Sequence, residues 1–150
     1  MAQIAEAEQV LEQYQCDRSS LIQILLEIQR RKRWLSSQDI ELVNERLEVP
    51  LAQVYHVATF YKAFSLVPKG RHIVSVCLGT ACHVRGAPRL LDRVVEAFGT
   101  RAGETSADMR FSVETVNCLG CCALGPVMVV DGQYYSNPSK KELEQLAAAD

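Results

Sequence analysis

Two short cysteine-bearing stretches constrain this chain more than any other feature: Cys77-Leu78-Gly79-Thr80-Ala81-Cys82 and Cys118-Leu119-Gly120-Cys121-Cys122. They hold five of its six cysteines. The residues between Cys82 and Cys118 read as a helix followed by a strand, so a compact fold brings the two stretches face to face. Four thiolates around one small volume, without histidine or carboxylate, form a soft cage suited to zinc or to an iron–sulfur cluster. Structural zinc usually takes C-x₂₋₄-C knuckles, which the first stretch only just permits. A C-x₄-C step also serves plant-type [2Fe–2S] ferredoxins, because two ligands there reach around a core wider than one ion.

The residues between the cysteines favour the cluster. Gly79 and Gly120 occupy the same offset, two after the first cysteine of each stretch, where glycine permits positive φ and close backbone approach. Each loop can then turn its amides inward. A [2Fe–2S] core with four thiolates is anionic, and burying it requires amide dipoles facing the sulfurs. Leu78, Ala81, Leu119, Ala123 and Leu124 are expected to form an apolar lid that excludes water.

Composition bounds the alternatives. At 150 residues and 48% hydrophobic content the chain can bury a substantial core. A net charge of −2 gives no electrostatic footprint for nucleic acid or an anionic membrane. Its apolar runs are far shorter than the ~20 residues that span a bilayer, so no membrane insertion is expected. The start, Met1-Ala2-Gln3-Ile4-Ala5-Glu6, lacks the regions of a signal peptide. The expected compartment is the cytoplasm, where cysteines bind metal or do redox work more often than they form disulfides.

Along the chain, residues 1 to about 65 read as four short helices in a small bundle. Ile4, Val10, Leu11 and Tyr14 make a weak stripe; Leu21, Ile24, Leu25 and Ile28 make a strong one. Arg30-Arg31-Lys32-Arg33 ends the second helix, where cations suit the dipole. Ser36 with Asp39 forms a capping box for a helix carrying Ile40, Val43 and Leu47 inward. Pro50 opens the fourth as a first-turn proline. Pro68-Lys69-Gly70 marks a change of character, which divides the chain into domains 1–66 and 67–150. His72-Ile73-Val74-Ser75-Val76 is a strand leading into Cys77; 87–98 is a helix carrying Leu90, Leu91, Val94, Val95 and Phe98. Residues 111–116 alternate as a half-buried strand leading into Cys118. Asp131-Gly132 joins two strands in a hairpin, and Ser139 caps a last helix carrying Leu143 and Leu146.

The run from Ser75 through Ala87 and the run from Cys118 to Pro126 resemble the thioredoxin-like [2Fe–2S] ferredoxin family, which includes the 24-kDa-type subunit of respiratory complex I. The small subunits of NAD(P)-linked and electron-bifurcating hydrogenases and of NAD-linked formate dehydrogenases belong to it too. Val54-Tyr55-His56-Val57-Ala58-Thr59-Phe60-Tyr61-Lys62-Ala63-Phe64 is similar to its V-x-x-V-A-T-F-Y-x-x-F segment, so the match spans nearly the whole chain. The resemblance implies an α+β chain, with an N-terminal helical bundle followed by a thioredoxin-like domain. It implies a C-x₄-C and C-x₃-C ligand set, Cys77, Cys82, Cys118 and Cys122, binding the iron of one [2Fe–2S] cluster, with Cys121 spare. The implied role is non-catalytic electron transfer beside the FMN of an NAD(P)H-binding flavoprotein, within a complex holding further iron–sulfur, hydrogenase or dehydrogenase subunits. FMN and NAD(P) are expected on that partner, since this chain has no G-x-G-x-x-G after a strand and no P-loop. A regulatory or assembly module that uses the cluster as a redox sensor and a freely diffusing, stand-alone ferredoxin are the other classes; the helical extension counts against the second.

Other residues carry plainer readings. A thiol–disulfide enzyme would place C-x-x-C at a helix start, a spacing neither pair has. Cys16 reads as a small apolar residue. His83 and Arg85 read equally as a positive charge beside the cluster or as solvated loop. His56 is expected to pack or lie on the surface, and Phe60, Tyr61 and Phe64 to serve a core or an interface. Arg30-Arg31-Lys32-Arg33 with Trp34 is a solvated helix end or partner contact rather than an RNA site.

Overall fold

The computed structural model of the chain describes residues 2–149, with side chains for residues 5–149. Backbone contacts divide it into two compact units, Met1–Pro68 and Lys69–Asp150. The architecture is α+β. Among the described residues no helix is long and apolar enough to cross a membrane.

The first unit is built from four helices: α1 (Ala2–Gln13), α2 (Leu21–Lys32), α3 (Ser37–Leu47) and α4 (Leu51–Phe60), with a 3-10 turn at Arg18–Ser20. Val10 and Leu11 are buried as their spacing requires, joined by Ala7, while Tyr14 is half-buried and Ile4 lies outside the described side chains. All of Leu21, Ile24, Leu25 and Ile28 face the core, as do Ile40, Val43 and Leu47. Each such side chain removed from water contributes about 1.5–3 kcal/mol, which is what holds helices of 10 to 12 residues that would be marginal alone. The Ser36–Asp39 capping box is present, and Pro50 sits at the cap position, one before the first helical residue. Lys32 is paired with Asp39, both side chains being buried (6% and 1% exposed). Arg30 and Arg31 meet Glu27 at 3.3 and 3.4 Å. The basic run is thus largely answered by carboxylates of its own unit. Phe64 packs on this core, whereas Phe60 and Tyr61 are exposed and meet edge-on at 5.1 Å. His56 stacks on Phe60 at the surface.

The second unit is a four-stranded sheet, β1 (His72–Cys77), β2 (Phe111–Val116), β3 (Val127–Val130) and β4 (Gln133–Ser136), in the order β2-β1-β3-β4. Val74, Val76, Val113 and Met128 pack with Leu90, Val94 and Phe98 of one helix and Leu143 of another. Between β1 and β2 run α5 (Thr80–Val84) and α6 (Ala87–Phe98), and α7 (Lys140–Ala148) closes the chain behind a Ser139–Glu142 capping box. The apolar spacing predicts one helix between the strands, and two are present. The five residues of α5 are too few to show a period, and Gly86, at φ +101°, separates it from α6. Residues Asp131 and Gly132 both take positive φ, as a two-residue hairpin demands.

β2 departs from the expected alternation. Phe111, Ser112 and Val113 are all buried, because Ser112 accepts the Gly70 amide at 2.8 Å and meets Thr105 Oγ1 at 2.7 Å. Residues beside the strand thus cover its polar face.

Candidate metal centre

Strand register assembles the site. β1 pairs with β2 in parallel, with Cys77 opposite Val116. The ends of both strands, and so Cys77 and Cys118, therefore arrive at the same end of the sheet. β3 runs antiparallel to β1, with Val76 opposite Met128, so the whole connection from β2 to β3 lies at that end. Cys82 comes back to it on α5, whose His83 amide donates to the Gly79 carbonyl at 2.8 Å. The result is a cavity of about 340 Å³ lined by Cys77, Cys82, Cys118, Cys121 and Cys122, together with Gly79, Thr80, Ala81, Asn117 and Gly120. Asn117 lies outside both cysteine stretches and enters only through the fold.

The two cysteine stretches are held differently. Cys77 and Cys82 are buried; Cys118 and Cys122 are exposed, Cys121 is half-buried, and Cys122 opens a 3-10 turn, Cys122–Leu124. Cys16 is half-buried against the helical core, in the other unit. None of the six forms a disulfide.

Both loop glycines are required, for different reasons. A Cβ at Gly79 would meet the Asn117 carbonyl oxygen at 2.6 Å, so glycine there permits close approach, at an ordinary φ of −57°. Gly120 has open space around it but sits at φ +77°. Its amide donates to Cys118 Sγ at 3.3 Å. Burial pushes the Cys77 thiol up, but the amides of Gly79 and Leu119 and the thiol of Cys82 outweigh it and leave Cys77 below the usual thiol range. Cys82 is pushed the other way by burial and by Cys77, against the Val127 amide. Inward-facing amides therefore do serve these sulfurs, as an anionic centre needs.

The expected apolar lid is only half built. Leu78 and Leu119 pack beside the buried cysteines, but Ala123 is exposed and Leu124 is 49% exposed. The short turn that carries them leaves both at the surface. Arg85 is not a free loop residue: its Nη1 donates to the carbonyl oxygens of Cys122 at 2.7 Å and Ala123 at 3.1 Å. His83 is exposed.

The donor set fits a thiolate-ligated cluster, with sulfurs around one cavity and amides aimed at them. Among the described residues no three His, Cys, Asp or Glu side chains gather closely enough to hold a single ion. Family membership is what selects between metals. Residues 7–149 match the family described as thioredoxin-like [2Fe-2S] ferredoxin. This chain belongs to that family, whose members carry a [2Fe–2S] cluster. It is 36% identical over 143 residues to the NADP-reducing hydrogenase subunit HndA of Solidesulfovibrio fructosivorans, covering 95% of this chain and 84% of that one. Against a subunit of the NADH-quinone oxidoreductase of Rickettsia bellii (strain RML369-C) the identity is 33%, with 93% and 86% covered. The fold also matches the crystal structure of an air-oxidized NAD+-reducing [NiFe]-hydrogenase, at a TM-score of 0.71 and 20% identity. That match takes in 86% of this chain and 22% of the hydrogenase chain.

Proposed function

We propose that this chain is the [2Fe–2S] electron-transfer subunit of a multisubunit NAD(P)-linked oxidoreductase, with Cys77, Cys82, Cys118 and Cys122 as the iron ligands. The observation that carries the reading is the parallel β1–β2 register, which delivers both cysteine stretches to one cavity. The family match and the names of the two relatives support it. When bound, the cluster supplies one-electron redox chemistry. The chain's own share is to hold four thiolates, aim amides at them, and keep one side of the site dry with Leu78 and Leu119. Cys121, whose thiol donates to the Leu119 carbonyl at 3.4 Å, is the spare.

The partner in this proposal is a flavoprotein that carries FMN and binds NAD(H) or NADP(H), alongside further iron–sulfur or hydrogenase or dehydrogenase subunits. The compartment is the cytoplasm, consistent with six unpaired cysteines. The units of the fold are proposed as two domains, the second carrying every ligand. Affinity purification of the tagged chain from its native host tests the assignment. A stable complex containing an FMN protein is expected, and the chain alone shows no NADH oxidation. Recovery as a monomer that serves several enzymes contradicts it.

A further inference from the structure

We infer that Arg85 is a positioning residue for the metal centre: it ties the Cys122 turn to the helix that bears Cys82 and lays a permanent positive charge beside the ligand it holds. The inference rests on the proposed function, since it concerns the same site. Arg85 caps the C-terminal end of α5, three residues beyond Cys82. Its guanidinium reaches a residue 37 positions away to donate to the carbonyls of Cys122 and Ala123. Guanidinium is always charged, and its single Nη1 serves both carbonyls.

The turn has need of it. Cys122 is exposed, and inside the turn the Leu124 and Gly125 amides donate to the Cys121 and Cys122 carbonyls at 3.0 and 3.2 Å. From outside, Ser136 Oγ donates to the Leu124 carbonyl at 2.7 Å. Arg85 and Ser136 thus grip successive carbonyls of the same segment, one with charge and one without. They make a matched pair for experiment. A tether of either kind slows the turn's opening. Only Arg85 stabilises added negative charge, such as the electron that the reduced cluster gains, because a nearby cation favours the more anionic form.

The test uses the full-length chain purified without oxygen, comparing wild type with Arg85→Ala, Arg85→Lys and Ser136→Ala. The readouts are iron release to a ferrous chelator and the midpoint potential from a redox titration followed by electron paramagnetic resonance. Arg85→Ala is expected to release iron about tenfold faster, on the scale of losing hydrogen bonds from a charged group, and to have a more negative potential. Arg85→Lys should restore the potential and part of the retention. Ser136→Ala should speed release with no change in potential. If Arg85→Ala loses its centre during purification, Arg85→Lys carries the test: a wild-type potential with faster release supports the assignment. Unchanged release and potential in Arg85→Ala overturns it, as does an Arg85→Lys potential that has moved more than that of Ser136→Ala. A wild type lacking iron and sulfide overturns the function instead, so the two failures are separable.

Discussion

The two halves of the site are built on opposite terms. Cys77 and Cys82 belong to secondary structure, at the end of a central strand and inside a helix, and both are buried. Cys118 and Cys122 sit on an exposed connection whose shape depends on a positive-φ glycine and on side chains reaching in from elsewhere. The first half is set by the strand pairing that folds the unit. The second is adjustable, and its geometry is completed by whatever it grips. A cluster site assembled this way has a rigid floor and an adaptable wall.

Ligand replacement is the sharpest way to break that contrast. Cys77→Ser is expected to abolish the centre, because Cys77 is buried at the end of a strand fixed by its pairing and a hard oxygen is a poor substitute for thiolate. Cys118→Ser should keep a fraction of an altered centre, since an exposed loop can readjust. Iron content and the visible and paramagnetic spectra decide it; equal loss in both variants would erase the distinction.

The glycines give the next largest difference. Gly79→Ala forces a Cβ against backbone at 2.6 Å, an overpacking cost near the upper end of about 1–3 kcal/mol, with displacement of the first loop. Gly120→Ala has free space and carries only the left-handed penalty of roughly 1–2 kcal/mol. Denaturant unfolding compares them. A Gly120→Ala loss larger than that of Gly79→Ala would mean that the second loop is the rigid one.

The smallest effect belongs to Cys121→Ser. With Cys122 as ligand, it should leave iron content and spectra nearly unchanged. Loss of the centre in Cys121→Ser while Cys122→Ser is unaffected would move the ligand by one residue and undo the match to the family spacing.

Much of this is legible in the residues. The stripe of Leu21, Ile24, Leu25 and Ile28, the Ser36 and Ser139 capping boxes and the Asp131-Gly132 hairpin are local signals, and each appears where its chemistry puts it. So is the β-run that delivers Cys77 to a strand end. What stays hidden depends on residues far apart in sequence. Ser112 is buried because Gly70 and Thr105 come to it, and Arg85 is anchored by carbonyls 37 and 38 positions on. The glycines' matching offsets conceal two unlike demands, a close contact with Asn117 and a backbone sign. Apolar character alone suggests a lid role for Leu124, whereas the turn that carries it lies at the surface.

The most direct test of the central claim is iron and acid-labile sulfide analysis of the full-length chain purified anaerobically, with a paramagnetic spectrum after reduction. The account predicts about two irons and two sulfides per chain and a single low-potential [2Fe–2S] signal that appears only on one-electron reduction. Stoichiometric zinc without labile sulfide would contradict it.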